Sequence, residues 1–89
     1  MPTISMFFGI IISIFYEDTG RHKRPHVHAR YQDFKASIAI DDGAVLAGEL
    51  PAKQLRFVQT WIDIHKEELM ADWDLAVSGE EPFRIAPLQ

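Results

Sequence analysis

The pattern of apolar and polar residues divides the chain into a strand-rich first half and a helical second half. Residues 6–16 form an apolar run dominated by isoleucine and phenylalanine, without strict alternation. A β-branched run of this kind favours one strand that is covered on both faces. Apolar and polar residues then alternate over residues 26–32 and again over residues 34–40. These two stretches predict strands that each have one apolar face.

Turn-forming residues separate the predicted strands. Gln32 and Asp33 are expected to form a tight turn. The run Asp41, Asp42 and Gly43 is a stronger hairpin signal, because an Asp-Gly pair tolerates the positive φ that such turns need. A short fourth strand over residues 44–48 is therefore expected to close an antiparallel meander.

Helical periodicity begins at Pro51, which suits the first turn of a helix, and continues to about residue 70. One arc of this helix is apolar and is expected to pack on the sheet. The arc consists of Leu55, Val58, Trp61, Ile62, His65 and Leu69. Phe57 and Ile64 lie off the arc and are a candidate dimer or partner contact.

A further helical segment is predicted over residues 71–78, with Gly79 as its C-terminal cap. Trp61 and Trp73 both fall in helical apolar patterns, so we expect them to anchor the core. His65 lies within the apolar arc and is expected to be a hydrogen-bonded core residue, separate from the other histidines.

This order of elements predicts a single α+β domain over residues 1–89: an antiparallel three- to four-stranded β-meander packed against one long C-terminal helix plus a short helix. A chain of this size buries only roughly 60 to 65% of its unfolded surface, so a homo-oligomer is an expectation. The apolar run is too short to span a bilayer and lacks the basic residues that precede a signal peptide core. There is no cysteine. We expect a cytoplasmic protein without a membrane partner.

Positive charge and histidine are concentrated in residues 21–30. Three of the four histidines and four of the nine Lys and Arg residues lie there, whereas all thirteen acidic residues lie elsewhere. Arg21, His22, Lys23 and Arg24 are candidate binding residues for an acidic protein partner or for RNA phosphates. The net charge of −4 argues against a general nucleic-acid coat protein.

The predicted alternation places His26, His28 and Arg30 on the polar face of the second strand. These three are the candidate catalytic residues. Imidazoles that exchange protons beside a cation are the chemistry of metal-independent RNA cleavage. The simpler alternative is a solvated strand face without a function, because motifs of this length often arise by chance.

His22, His26 and His28 are also candidate ligands for a divalent metal such as zinc, with Glu17 or Asp18 as a fourth ligand. Their spacing permits such a site but matches no established closed-site pattern. The surrounding positive charge opposes the binding of a dication. No other cofactor is expected.

Segments along the whole chain resemble the small bacterial proteins of the domain of unknown function 4160 family. The segments are Met1-Pro2-Thr3-Ile4, Phe8-Gly9-Ile10, Pro25-His26-Val27-His28-Ala29, Leu50-Pro51 and the helical region from Trp61 to Trp73. The recurring family pattern His-x-x-Pro-Pro-His-Phe-His matches His22, Pro25, His26 and His28. Here Arg24 replaces the first proline and Val27 replaces the phenylalanine, so the loop is more basic.

The resemblance implies a small cytosolic protein that is encoded beside another small protein, the two acting as a toxin-antitoxin module. It thus implies the toxin-like member of a two-gene pair, acting through protein-protein contact and a basic histidine-rich face. The residues leave three alternatives open. They are a metal-independent histidine-dependent ribonuclease, a histidine-based metal-binding protein, and a non-catalytic protein- or RNA-binding module.

Overall fold

The structure of the protein, a computed structural model, describes residues 3–16 and 24–88. The described residues form one antiparallel five-stranded sheet, with the strands in sequence order, followed by two helices. The strands are β1 (Thr3–Phe7), β2 (Ile10–Ser13), β3 (His26–Tyr31), β4 (Phe34–Ala39) and β5 (Val45–Glu49), and the helices are α1 (Ala52–Ile64) and α2 (Lys66–Val77). The predicted α+β class and antiparallel meander are confirmed, but the numbers of strands and long helices differ.

The apolar run that predicted one strand is a hairpin of β1 and β2. Phe8 and Gly9 form its turn, with φ angles of +51° and +78°. Positive φ at both central residues matches the twist of the adjoining strands. The expectation of one strand was wrong because Phe8 is a bulky residue at a position where Asn, Asp or Gly is usual. The extra turn explains why the sheet has five strands.

The two other predicted turns are present. Gln32 and Asp33 connect β3 to β4, and residues 40–44 connect β4 to β5. Because the first of these turns has only two residues, it sets the register in which Tyr31 pairs with Phe34 and Arg30 pairs with Lys35.

The predicted long helix is interrupted at His65, where φ is −109° and ψ is +25°. The two helices nearly continue one another, since the Leu69 N–H donates to the His65 carbonyl oxygen at 2.9 Å. No proline or glycine marks the interruption in the sequence. At the end of α2, Gly79 has a φ of +78° and the Glu80 N–H donates to the Leu75 carbonyl oxygen at 2.8 Å. This confirms the predicted glycine cap.

The hydrophobic core lies between the helices and one face of the sheet. Trp61 is fully buried and contacts Phe7, with 5.3 Å between the ring centroids. Its Nε1–H donates to the Ala86 carbonyl oxygen at 2.8 Å. Trp73 is also buried, so both tryptophans are core residues as predicted.

Phe57 and Ile64, which lie off the apolar arc of the predicted helix, have different environments. Phe57 is half-buried and contacts Phe8 of the β1–β2 turn, with 4.8 Å between the ring centroids. Ile64 remains 61% exposed. Within residues 3–16 and 24–88, no helix has the length and apolarity needed to cross a membrane.

We expect Gly48→Ala to lower the free energy of unfolding by more than about 2 kcal/mol, because strain and overlap combine. Gly48 has a φ of +74°, and an added Cβ would lie 2.1 Å from the Lys35 carbonyl oxygen. Gly79 is a matched control, since its φ is +78° and an added Cβ would meet nothing within 4 Å. Gly79→Ala should cost only about 1 kcal/mol. Urea denaturation measures both, and equal losses would contradict the proposed overlap.

We also expect replacement of Asp72 by Asn to change how stability depends on pH. Asp72 is 2% exposed, and its Oδ1 accepts the Phe83 N–H at 2.9 Å. Its buried Oδ2 has no hydrogen-bond partner among the described residues. Burial raises the pKa of Asp72, although the Phe83 N–H lowers it, and Glu68 adds a smaller raising effect.

A raised folded-state pKa means that the ionised carboxylate destabilises the folded state above that pKa, and that protonation removes the penalty as pH falls. The Tm of Asp72→Asn minus that of the wild type should therefore increase as pH rises from the ordinary Asp range toward neutrality. Asp63→Asn is an exposed control in α1. Thermal melts over this range test the expectation, and a difference that stays constant with pH would refute it.

Candidate functional site

The sheet face opposite the helices carries two rows of side chains that cross the strands. Residues paired in an antiparallel sheet project from the same face, so the register identifies each row. The first row is Thr3, Ser13, His28, Ser37 and Ala47. The second is Met6, Ile11, Arg30, Lys35 and Glu49. Hydroxyls and one imidazole therefore lie beside a row that contains two cations.

An open groove of about 700 Å³ lies over these rows. Its volume is within the range of about 300–1,000 Å³ that is usual for small-molecule sites. Its lining combines three kinds of group: the cations Arg30 and Lys35, hydroxyls such as Ser13 and Ser37, and small or apolar residues such as Ile11. We call this feature the sheet groove.

Arg30 and Lys35 are directly paired across β3 and β4. Both side chains are exposed, and neither forms an ion pair within the described part of the chain. Like charges directly opposite one another destabilise a sheet. Glu49 is paired with Lys35 on the other side of β4 and offsets part of this charge, but the two cations outnumber it. An anion bound between Arg30 and Lys35 would therefore relieve their repulsion.

His28 lies at the end of the sheet groove nearest Phe15. The two rings stack with 4.1 Å between centroids and 8° between planes. The Nδ1 atom of His28 is 3.4 Å from the Ser37 hydroxyl oxygen, and its Nε2 atom is buried. His28 therefore lines the groove, but its ring is held by its neighbours.

His26 was expected on an open polar face of its strand, but it is only 6% exposed, so this expectation is wrong for His26. Its Nδ1 lies 2.8 Å from the Arg24 carbonyl oxygen, which can only accept, so Nδ1 is the donor. Its ring contacts Trp73 of α2 and His28, with 5.0 Å between centroids in each case. The alternation in β3 shows the side on which His26 projects, but not that Trp73 covers it.

Arg24 was predicted to be a binding residue, and the structure places it in an ion pair with the β4–β5 turn. Its guanidinium lies 2.7 Å from Asp41 Oδ1 and 3.0 Å from Asp42 Oδ1. The Ala44 N–H donates to Asp42, and this bond, together with Arg24, lowers the pKa of Asp42. Two carboxylates thus balance the Arg24 charge, although the sequence segment around Arg24 contains no acidic residue.

The other candidate binding residues, Arg21, His22 and Lys23, lie outside the described residues, as do Glu17 and Asp18. Over residues 3–16 and 24–88, no group of three His, Cys, Asp or Glu side chains could hold a metal ion. The predicted zinc site requires His22 and therefore stays a prediction.

His65 is hydrogen-bonded, as predicted, but it is only partly buried. Its Nδ1 lies 2.6 Å from Glu68 Oε1, and its ring is 5.6 Å from Trp61 between centroids. It lies at the break between α1 and α2 rather than inside the core.

The sequence interpretation missed Lys35, Ser37, Ser13 and Phe15. A signal for Lys35 was present, because a two-residue turn at Gln32 and Asp33 places Lys35 opposite Arg30. Ser37 follows from the same register, which pairs it with His28. No comparable signal existed for Ser13, because its position depends on the β1–β2 hairpin that Phe8 concealed.

Comparison with curated proteins and with solved structures gives no match. A family model matches residues 9–74, about three quarters of the chain. The matched region runs from the β1–β2 turn into α2 and includes Arg30, Lys35 and both described β3 histidines. The chain therefore belongs to the family described as Domain of unknown function (DUF4160).

Proposed function

We propose that the sheet groove binds the phosphate backbone of RNA, and that the chain is the toxin-like member of a bacterial two-gene toxin-antitoxin module. The observation that carries this proposal is the direct pairing of Arg30 with Lys35 on an open, concave face. Lys and Arg that neutralise phosphates provide most of the affinity of RNA- and DNA-binding surfaces.

The distribution of charge also favours binding of a polyanion at the sheet groove. The chain carries a net charge of −4, yet both charged residues that line the sheet groove are basic. The helices carry exposed side chains of both signs, four acidic (Asp63, Glu67, Glu68 and Asp74) and three basic (Lys53, Arg56 and Lys66). The local excess of positive charge in the groove would therefore direct RNA to the open face.

The surroundings of the histidines favour binding over catalysis. His26 is buried and hydrogen-bonded through Nδ1, and the Nε2 of His28 is also buried. A general acid or base needs a nitrogen within hydrogen-bond reach of the reacting atom. In this proposal the two imidazoles position β3 and Phe15, while Arg30 and Lys35 contact the ligand. The ribonuclease and metal-binding alternatives stay predictions.

The cognate small protein would act as the antitoxin by covering the same cationic groove. An acidic surface on that partner would compete with RNA for Arg30 and Lys35, because carboxylates and phosphates are both anions. The proposed module thus needs one site with two mutually exclusive ligands.

Arg30→Gln and Lys35→Gln should each weaken binding of a fluorescein-labelled RNA, because each removes a phosphate contact. Each should also reduce the slope of log Kd against log salt concentration by about 1. Arg24→Gln is a matched control, since Asp41 and Asp42 already bind that guanidinium. Fluorescence anisotropy over a salt series measures both quantities. Wild-type affinity and slope in the Arg30 and Lys35 variants would contradict the proposal.

Induced expression of the wild-type chain should slow bacterial growth, and the double variant Arg30→Gln/Lys35→Gln should not, because it cannot hold RNA. Growth curves, with soluble yield as the folding control, test this expectation. Normal growth with the wild-type chain would refute the toxin role. A His28→Asn variant that binds RNA normally but no longer slows growth would instead favour catalysis.

A further inference from the structure

The make-up of the sheet groove identifies the kind of RNA that fits it. We infer that the groove takes single-stranded nucleotides with unpaired bases and excludes duplex RNA, an inference that rests on the proposed binding of RNA phosphates. In this arrangement the phosphates contact the cations of the groove and the bases contact its apolar residues.

The groove contains more than a site for phosphate. Ile11, Phe15 and Ala47 contribute an apolar surface on the same face as the cations. Ile11 is directly paired with Arg30, so an apolar side chain and a guanidinium are immediate neighbours. Phosphate and sugar make no use of an apolar surface, whereas the flat face of an unpaired base does. A ligand that complements this groove therefore carries negative charge and an accessible ring within a short distance.

The hydroxyl row adds a second polar edge. Ser13, His28 and Ser37 lie two residues along their strands from Ile11, Arg30 and Lys35, which is about 6.5 Å at the usual strand rise. Serine hydroxyls both donate and accept hydrogen bonds. A nucleotide with its phosphate at Arg30 and Lys35 would thus place its sugar or base edge near Ser13 and Ser37. The 2′-hydroxyl and the Watson–Crick edge of an unpaired base are available for such contacts.

Duplex RNA cannot present these groups. Its bases are paired and stacked, so a protein reaches mainly the phosphates and the 2′-hydroxyls across the minor groove. The apolar residues of the sheet groove would then face the sugar-phosphate backbone, and no base would cover them. Duplex-binding modules also contact two successive minor grooves over about 16 base pairs. The sheet groove instead places two cations directly opposite each other in a single patch, Arg30 on β3 and Lys35 on β4.

The test compares a fluorescein-labelled unstructured RNA with the blunt-ended duplex formed when the same strand is annealed to its complement, at a single salt concentration. Single-strand-binding domains contact about 4–16 nucleotides, so an unstructured RNA of about 12 nucleotides is long enough. We expect the unstructured RNA to bind at least about tenfold more tightly, because only its bases can cover the apolar residues.

Two uncharged variants locate the base contact. Ile11→Ser and Phe15→Leu should each weaken binding of the unstructured RNA, Phe15→Leu by roughly fivefold or more, because a stacking surface is lost. Neither should alter the salt slope, since no charge changes. Val77→Ser is a control on an exposed apolar residue of α2, outside the sheet groove. Urea midpoints verify that each variant is folded, and a steeper or shallower salt slope in Ile11→Ser would count against a base contact.

The outcomes separate this inference from the proposed function. If neither RNA binds, RNA binding itself is wrong. If the duplex binds as tightly as the unstructured RNA and both depend on Arg30 and Lys35, RNA binding stands and the single-strand inference is overturned. If polyglutamate of matched charge displaces the unstructured RNA as well as unlabelled RNA does, the groove recognises charge alone. In that case an acidic protein segment replaces RNA as its ligand.

Discussion

Packing of the two helices against one face of the sheet creates the hydrophobic core of the domain. Trp61 and Trp73 are buried between the helices and the strands, and replacing a residue of this size in a core by alanine typically costs about 3–5 kcal/mol. Apart from Trp73, which packs on His26 at the start of β3, the helices leave the other face of the sheet open, so Arg30 and Lys35 stay in contact with solvent. The sheet groove is a consequence of this one-sided packing.

Two pairs of contacts show how the fold distinguishes basic residues that are close in sequence. Arg24 lies opposite Asp41 and Asp42, so its charge is balanced within the protein. Arg30, six residues later, lies opposite Lys35 and meets a second positive charge. The Arg24 ion pairs hold the residues just before β3 against the β4–β5 turn. The pairing of Arg30 with Lys35 leaves positive charge available to a ligand, and this contrast decides which basic residues belong to the candidate site.

The histidines illustrate how packing can redirect a chemically suggestive motif. His26 bonds to the Arg24 backbone and packs on Trp73, while His28 stacks on Phe15 and approaches Ser37. Together these contacts connect the start of β3 to α2 and to the end of β2. Residues that suggested proton transfer thus help to shape the groove, beside the cations, hydroxyls and apolar side chains that the sheet assembles.

Features that depend on near neighbours could be predicted from the sequence. Alternation predicted β3 and β4, Gln32 and Asp33 predicted the turn between them, and Gly79 marked the end of α2. The tertiary structure alone decided that Phe8 adopts a positive φ against Phe57, that the helix is interrupted at His65, and that Trp73 covers His26. It also decided that Arg24 meets Asp41, seventeen residues away. Local patterns specify the direction of a side chain, whereas its burial and its charge partners depend on which distant segment packs beside it.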